Sequence, residues 1–452
     1  MYGAAPRRRI VAFTPFAVID DTRALKQAVS VARLGYESVL IQGQPGPAPD
    51  VSPGFQLITA LTPGDPVDAG LAVSAGTDGE ANVASPRDRL LQRLAQAPLG
   101  LGPIAAATIG PLVRLASRVL RSAPVRVPRT LIYVAARYAA TLRATYRALP
   151  EADLYLLHNP REFPAVWARA RSRGVPIVYD AYDFYSVLNL DGRDRPPEVR
   201  AVDYFYNALE RVCVRGASAC FTVSDGVATL CDERFGRPFA VIRNTPDVRL
   251  DVEDVVPLRE RFGLEDAFVA VIVGNAKGRG MALRESIAAL RDLSDDVHLI
   301  LLGRWYEPWM GVARELGVAE RVHSPGPVGP TEVTAALKGL DAAIVPYWAA
   351  TDNLVNVLPN GFFQPIVAGL PLLYPQLPEL RRIAEQHSLG LAIDPENPAS
   401  IASALRRLRD NPDERERLRV NAAAARSDLV WEADERRLAQ LFAELLPIAG
   451  ER

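Results

Sequence analysis

A chain of 452 residues exceeds one ordinary hydrophobic core, and 49% hydrophobic with 23% charged residues is the composition of folded globular domains. The 52 basic and 53 acidic side chains nearly cancel, to a formal net charge of −1, which excludes the overall basicity of a nucleic-acid-binding protein. Three cysteines, Cys213, Cys220 and Cys231, supply neither a paired disulfide framework nor a metal-ligand spacing, so a reducing cytoplasm is the expected compartment.

The opening MYGAAPRRRIVAFTPF is expected to carry no signal peptide, because its apolar run is short and is broken by Pro15. RRIVAFTPF (8–16) reads as a strand. DTRALKQAVSVARLG (21–35) reads as a helix that Asp21 or Thr22 caps and Gly35 ends. ESVLIQG (37–43) reads as a second strand, which completes a βαβ opening. The pattern returns at ADLYLLH (152–158), VPIVYDAYD (175–183), ASACFTVS (217–224) and FAVIRN (239–244). A second set of strands follows, at DAFVAVIVG, DVHLILLG, RVHSPG, DAAIVPY, LPLLYP and LGLAID, separated by helical stretches such as MALRESIAALRDL and PASIASALRRLRD. Two successive sets of alternating strands and helices predict an α/β protein of two doubly wound domains. The joint is expected in the polar stretch 245–266, giving domains over 1–245 and 246–430 and a terminal helix over 431–452. Ligands of such sheets bind at the carboxyl ends of the strands, here in the cleft between the domains.

Residues 61–150 interrupt the first set. A Gly/Pro-rich loop leads into 87–147, which holds eleven arginines and one acid, Asp88, interleaved with apolar residues. Basic amphipathic helices of this kind suit an anionic membrane surface; they equally suit a solvated cover over the sheet. A second anomaly is the run from Asn353 to Pro378, twenty-six residues without a charge, where the chain average predicts about six. Five prolines in that run exclude a membrane-spanning helix, so it reads as buried core and pocket wall.

VIVGNAKGRGMALRESI (271–287) places a strand, a Gly-containing loop at Gly274 and Asn275, and a helix start in succession, with Lys277 and Arg279 adding charge. Backbone N–H groups at such a turn favour phosphate, although the spacing is neither a Walker loop nor a dinucleotide fingerprint. HLILLGRW (298–305) supplies another strand end in Gly303 and Arg304, and LPNGFFQP (358–365) a third at Asn360. Together the tips at 274, 303 and 360 are expected to line one nucleotide pocket. His158, at the end of DLYLLH, sits where the first sheet meets the cleft; it reads either as a catalytic group or as a structural one. No Cys/His cluster or acidic pair suggests a metal.

The second half resembles the nucleotide-sugar domain of family four glycosyltransferases, which have the GT-B fold of two Rossmann-like domains facing a cleft. The pieces that carry the resemblance are VGNAKGRG, HLILLGRW, ELGVAERVHSPGPVGPTEVTAALKGLDAAIVPY, NVLPNGFFQPIVAGLPLLYP and LGLAIDPENPASIASALRRLRDNPDERERL. In the first half DTRALKQAVSVARLGYESVLI, VPIVYDAYDFYS and LERVCVRGASACFTVSDGVATL with VIRNTPD resemble the acceptor domain, and WEADERRLAQLFAELL the family's closing helix, which often returns to the first domain. The resemblance spans most of the chain outside about 61–150. It implies transfer of a sugar from a nucleotide-diphosphate donor to an acceptor hydroxyl with retention of configuration and without a metal or other cofactor. The basic insert points to a lipid-linked or cell-surface polysaccharide acceptor and to peripheral attachment at the inner face of the membrane.

Residue by residue, the resemblance implies donor contacts from Arg243, Asn244, Asn356, Asn360, Gly361 and Gln364, and acceptor-side chemistry from Asp180, Tyr182 and Asp183; Asn244 equally reads as shaping the interdomain turn only, and Asp180 and Asp183 as capping a strand end. Several of these depart from the family's pattern. Gly361 stands where a lysine is usual, Gln364 and Asn356 where acids are usual, and Tyr182 where a histidine is usual. A glutamine still accepts a hydrogen bond from a sugar hydroxyl, but about half as strongly as a carboxylate. Tyr182, with an ordinary pKa near 10, is a poor base at neutral pH. Two alternatives therefore stand beside an active transferase: a catalytically impaired relative that acts as a binding partner or scaffold, and an enzyme with a different donor or chemistry.

Overall fold

The computed structural model describes residues 7–47, 49–60, 129–182, 197–276 and 280–446, with side chains from Tyr138 and Phe205 onward in the two helices that begin at 129 and 197. Most of the basic insert, 61–128, lies outside the described residues, as do Asp183, Lys277 and Arg279.

The first sheet contains β1 (Arg9–Thr14), β2 (Glu37–Gln42), β3 (Gln56–Thr59), β4 (Leu154–Leu157), β5 (Ile177–Ala181), β6 (Ala219–Thr222) and β7 (Ala240–Val241). All neighbours pair in parallel, in the order β3-β2-β1-β4-β5-β6-β7. The second sheet holds β8 (Phe268–Val273), β9 (Val297–Leu302), β10 (Val322–Gly326), β11 (Ala342–Ile344), β12 (Leu372–Pro375) and β13 (Gly390–Ile393), in the order β10-β9-β8-β11-β12-β13. Each order reverses once, between β1 and β4 and between β8 and β11. Those reversals are the crevices where doubly wound sheets bind ligands. The two-lobed α/β architecture expected from the sequence is present, and β3, which the sequence reading did not assign, adds an edge strand to the first lobe.

Helices cover both sheets. Those used below are α1 (Thr22–Arg33), α2 (Arg129–Ala148), α3 (Phe163–Arg171), α4 (Pro197–Gly216), α5 (Asp225–Phe235), α6 (Leu283–Ala288), α7 (Glu307–Glu315), α8 (Asn360–Val367), α9 (Pro378–His387) and the terminal α10 (Trp431–Leu445). Asp21 caps α1, its carboxylate accepting from Ala24 N–H at 3.0 Å, and the chain leaves through Gly35 at φ +88°. α6 starts at Leu283, two residues after the apolar pattern begins. α8 runs through Pro365, which lies inside the helix and leaves its start at Asn360.

The second lobe has one continuous core, in which Val271, Ile300, Phe362, Phe363 and Leu373 are fully buried. In the first lobe the two faces of the sheet have separate cores. α10 closes one of them: Trp431, Leu438 and Phe442 pack with Ile10, Leu25 and Val29. Its Trp431 indole N–H donates to Ser30 Oγ at 2.7 Å, and Tyr36 meets Phe442 edge-on at 6.2 Å between ring centroids.

Candidate functional site: the interlobe cleft

The carboxyl ends of β8 and β9 meet at two glycines. A Cβ on Gly303 would stand 2.2 Å from Gly274 O, so only glycine permits this approach; both residues also have positive φ, +149° and +121°. α8 starts against the same point: a Cβ on Gly361 would lie 2.1 Å from Val273 O. Three strand and helix ends therefore converge on backbone rather than on side chains. Gly274 O accepts from the Tyr306 hydroxyl at 2.9 Å, and Asn275 Oδ1 accepts from Arg304 N–H at 3.0 Å, which joins the β8 and β9 loops. Such a surface of glycine backbone beside a helix start can approach a phosphate closely.

The fit at Gly361 explains one departure from the family's pattern. A lysine in that place would drive its Cβ into a carbonyl oxygen, so its absence here is built into the packing of α8 on β8.

Gln364 lines a small half-open space between the lobes. Lys26, Asp247, Asp251, Thr334 and Asn360 also line it. Burial pushes the Asp251 carboxyl up to about 6, and burial followed by the charge of Arg23 pushes the Lys26 amine down to about 7. Lys26 Nζ donates to Asn244 Oδ1 at 2.7 Å and to Thr245 O, and lies 5.0 Å from the centre of the Trp431 ring. Asn244 thus shapes the turn at the junction between the lobes through Lys26, one of the two readings the sequence left open for it. Arg243 also has partners within the protein. Its Nε donates to both carboxylate oxygens of buried Asp434 at 3.2 Å, and Nη2 donates to Asp428 O at 2.7 Å, so the guanidinium anchors α10.

The lobes touch on both sides of the cleft. On one side Arg304 pairs with Asp20, and Asn360 Nδ2 donates to Thr22 Oγ1 at 3.3 Å. On the other, Ser224 Oγ donates to Asn356 O at 2.9 Å, Gly226 N–H at the start of α5 donates to Glu379 Oε1 at 2.7 Å, and Arg382 pairs with Asp225 at 2.9 Å. Asn356 therefore stands in an interlobe contact, its amide oxygen against Gly226. Ser224, Glu379 and Arg382 were not singled out from the sequence; Glu379 carries the first charge after the neutral run.

The acceptor-side candidates divide differently. Asp180 and His158 are both fully buried. Arg23 holds Asp180 with two bonds, Nε to Oδ2 at 2.6 Å and Nη2 to Oδ1 at 2.9 Å, and Gln27 Nε2 donates to Oδ2 at 2.7 Å. His158 Nδ1 is 3.0 Å from Phe13 O, and Nε2 is 2.9 Å from Gln27 Oε1. Neither side chain reaches the cleft in this arrangement; their enclosed network fixes α1 on the sheet, which is the structural one of the two readings of His158 and takes up Asp180 with it. Tyr182, half-buried, follows β5. Arg23 and Gln27 were missed because a pattern of apolar spacing assigns polar residues of α1 to solvent, whereas Arg23 through Val31 are all buried between the sheet and its neighbours.

Two family profiles match the chain: "Glycosyl transferase 4-like domain" over 21–245 and "Glycosyl transferases group 1" over 267–411. D-inositol 3-phosphate glycosyltransferase of Thermomonospora curvata is 26% identical over 308 residues, 61% of this chain and 68% of that protein. The Catenulispora acidiphila protein, D-inositol 3-phosphate glycosyltransferase 1, is 25% identical over 65% of this chain and 75% of its own. In fold the chain is similar to sucrose-phosphate synthase of Thermosynechococcus elongatus, with a TM-score of 0.66, 14% identity and coverage of 97% and 99% of the two chains. It is also similar to Anabaena HepE in complex with UDP, with a TM-score of 0.60, 14% identity and coverage of 97% and 100%. With its two parallel sheets meeting at a glycine-lined cleft, the chain belongs to the family four glycosyltransferases of GT-B fold, enzymes that transfer a sugar from a nucleotide-sugar donor.

Proposed function

We propose that the donor's diphosphate lies over Gly274, Asn275, Gly303, Asn360 and Gly361, with Gln364 accepting from a hydroxyl of the nucleotide. The observation that carries this reading is the convergence of three element ends on bare backbone at residues 273–274, 303 and 361. Lys277 and Arg279, which follow Gly274 in the sequence, are its candidates for phosphate counter-charge, with Arg304 as a third. Transfer then proceeds with retention of configuration, by positioning and by electrostatic stabilisation of the leaving diphosphate, without a metal. Retention of activity in chelator tests the last point.

The acceptor is a hydroxyl of a lipid-linked or cell-surface glycan at the inner face of a membrane. α2 supports this: it carries four arginines and no acid in twenty residues, beside further arginines from 87 onward. Among the described residues no helix is long and apolar enough to cross a membrane. The relatives' name adds phosphorylated inositol to the acceptors worth testing.

A thermal-shift screen with nucleoside diphosphates tests the donor reading, because a ligand that binds only the native state raises its melting temperature. A rise of several degrees with at least one diphosphate is expected. No shift with any diphosphate, joined by stable association with a second glycosyltransferase, favours the scaffold alternative.

A further inference from the structure

We infer that Trp305 is a stacking platform for a ring of the donor nucleotide sugar, an inference that rests on the donor reading above. Trp305 has φ +68°, in the left-handed region that a bulky L-residue occupies only at a cost. The indole gains little from burial in return: it is 60% exposed, whereas Trp431 is completely buried. Strain of this kind persists where surrounding structure enforces it, and it gathers at ligand sites.

The neighbours of Trp305 enforce it and fix its place. Gly303 before it packs on Gly274, and Arg304 N–H is bound to Asn275. The Arg304 side chain reaches across the cleft to Asp20. Tyr306 after it is completely buried, its hydroxyl bound to Gly274 O. Residue 305 is thus held between two anchors on the same strand tip, at the rim of the cleft. The exposed indole offers a broad apolar face beside the proposed diphosphate seat. A nucleobase or the C–H face of a sugar ring is the chemistry that such a face takes from a nucleotide sugar.

The test uses the full chain with Trp305→Gly and Trp305→Phe. Melting temperature is measured beside calorimetric affinity for two probes, UDP and UDP-glucose. Glycine adopts this backbone freely, so Trp305→Gly is expected to melt no lower than the native protein and yet to bind at least one probe about tenfold more weakly. Trp305→Phe retains most of the affinity. Equal losses for both probes place the indole on the nucleobase; a loss confined to UDP-glucose places it on the sugar. A Trp305→Gly protein that binds both probes as the native one does overturns the inference and leaves the donor reading standing. If the native protein binds another nucleoside diphosphate instead, that diphosphate and its sugar replace the two probes; a native protein that binds no nucleoside diphosphate removes the donor reading itself, and this inference with it.

Discussion

The carboxyl ends of the two sheets are built in opposite ways. At the first, charged and polar side chains fill the space: Asp180 is clamped by Arg23 and Gln27, and His158 is bound to Gln27 and Phe13, all out of contact with water. At the second, side chains are missing where the elements meet, and Gly274, Gly303 and Gly361 leave backbone exposed to backbone. The first arrangement is rigid because removing one partner strands a buried charge. The second is permissive, because a glycine surface leaves room for a ligand's own charge. Similar topology in the two lobes therefore yields a support at one sheet end and, at the other, the bare backbone proposed as the donor's seat.

Breaking the support has the largest expected effect. Asp180→Asn leaves Arg23 buried without its counter-charge and is expected to cost about 3–5 kcal/mol in urea denaturation. The seat is more local. Gly303→Ala forces a methyl to within 2.2 Å of Gly274 O at a positive φ, and is expected to cost roughly 2–3 kcal/mol and to abolish UDP binding. Folding without loss of UDP affinity in that variant contradicts the close packing of the two tips.

A third substitution sharpens the contrast through pH. Glu162, which follows β4, is buried, and among the described residues its Oε2 has no hydrogen-bond partner; burial pushes its carboxyl up from the ordinary 4.5 to about 7. The folded state thus binds this proton more tightly than the unfolded chain. Its contribution to stability falls as pH rises from about 4.5 to 7, and the penalty is complete above that range. Glu162→Gln is expected to raise stability by on the order of 1–3 kcal/mol at pH 8 and by little at pH 4, which melting curves at the two values check. The smallest effect is expected at the seat's edge. Gln364→Glu replaces a neutral acceptor by a charged one and is expected to tighten UDP binding by a few-fold, on the order of 1 kcal/mol.

The strands themselves were legible because parallel sheets buried on both faces leave continuous apolar runs, as in FVAVIV and HLILL, whereas their order in each sheet needed the fold. β3 was not, since QLIT is short and partly exposed at an edge. The glycines at 274, 303 and 361 were legible as candidates from their places at strand and helix ends, but their mutual contact needs the fold. Asp180 shows what local pattern leaves open. It shares a sheet face with Val178, the face that α1 covers, while Tyr179 and Ala181 look the other way. Alternation alone separates the two faces of β5, yet it does not say which helix lies over each. Arg23 and Lys26, buried on α1, are hidden for the same reason, as are the pairings that carry Arg243 to α10 and Arg304 to Asp20.

A crystal structure of the protein with UDP tests the central claim most directly. The account predicts the diphosphate over the 274–275, 303 and 360–361 backbone, with Gln364 turned toward the ribose. Phosphates bound elsewhere in the cleft, with those tips left bare, contradict it.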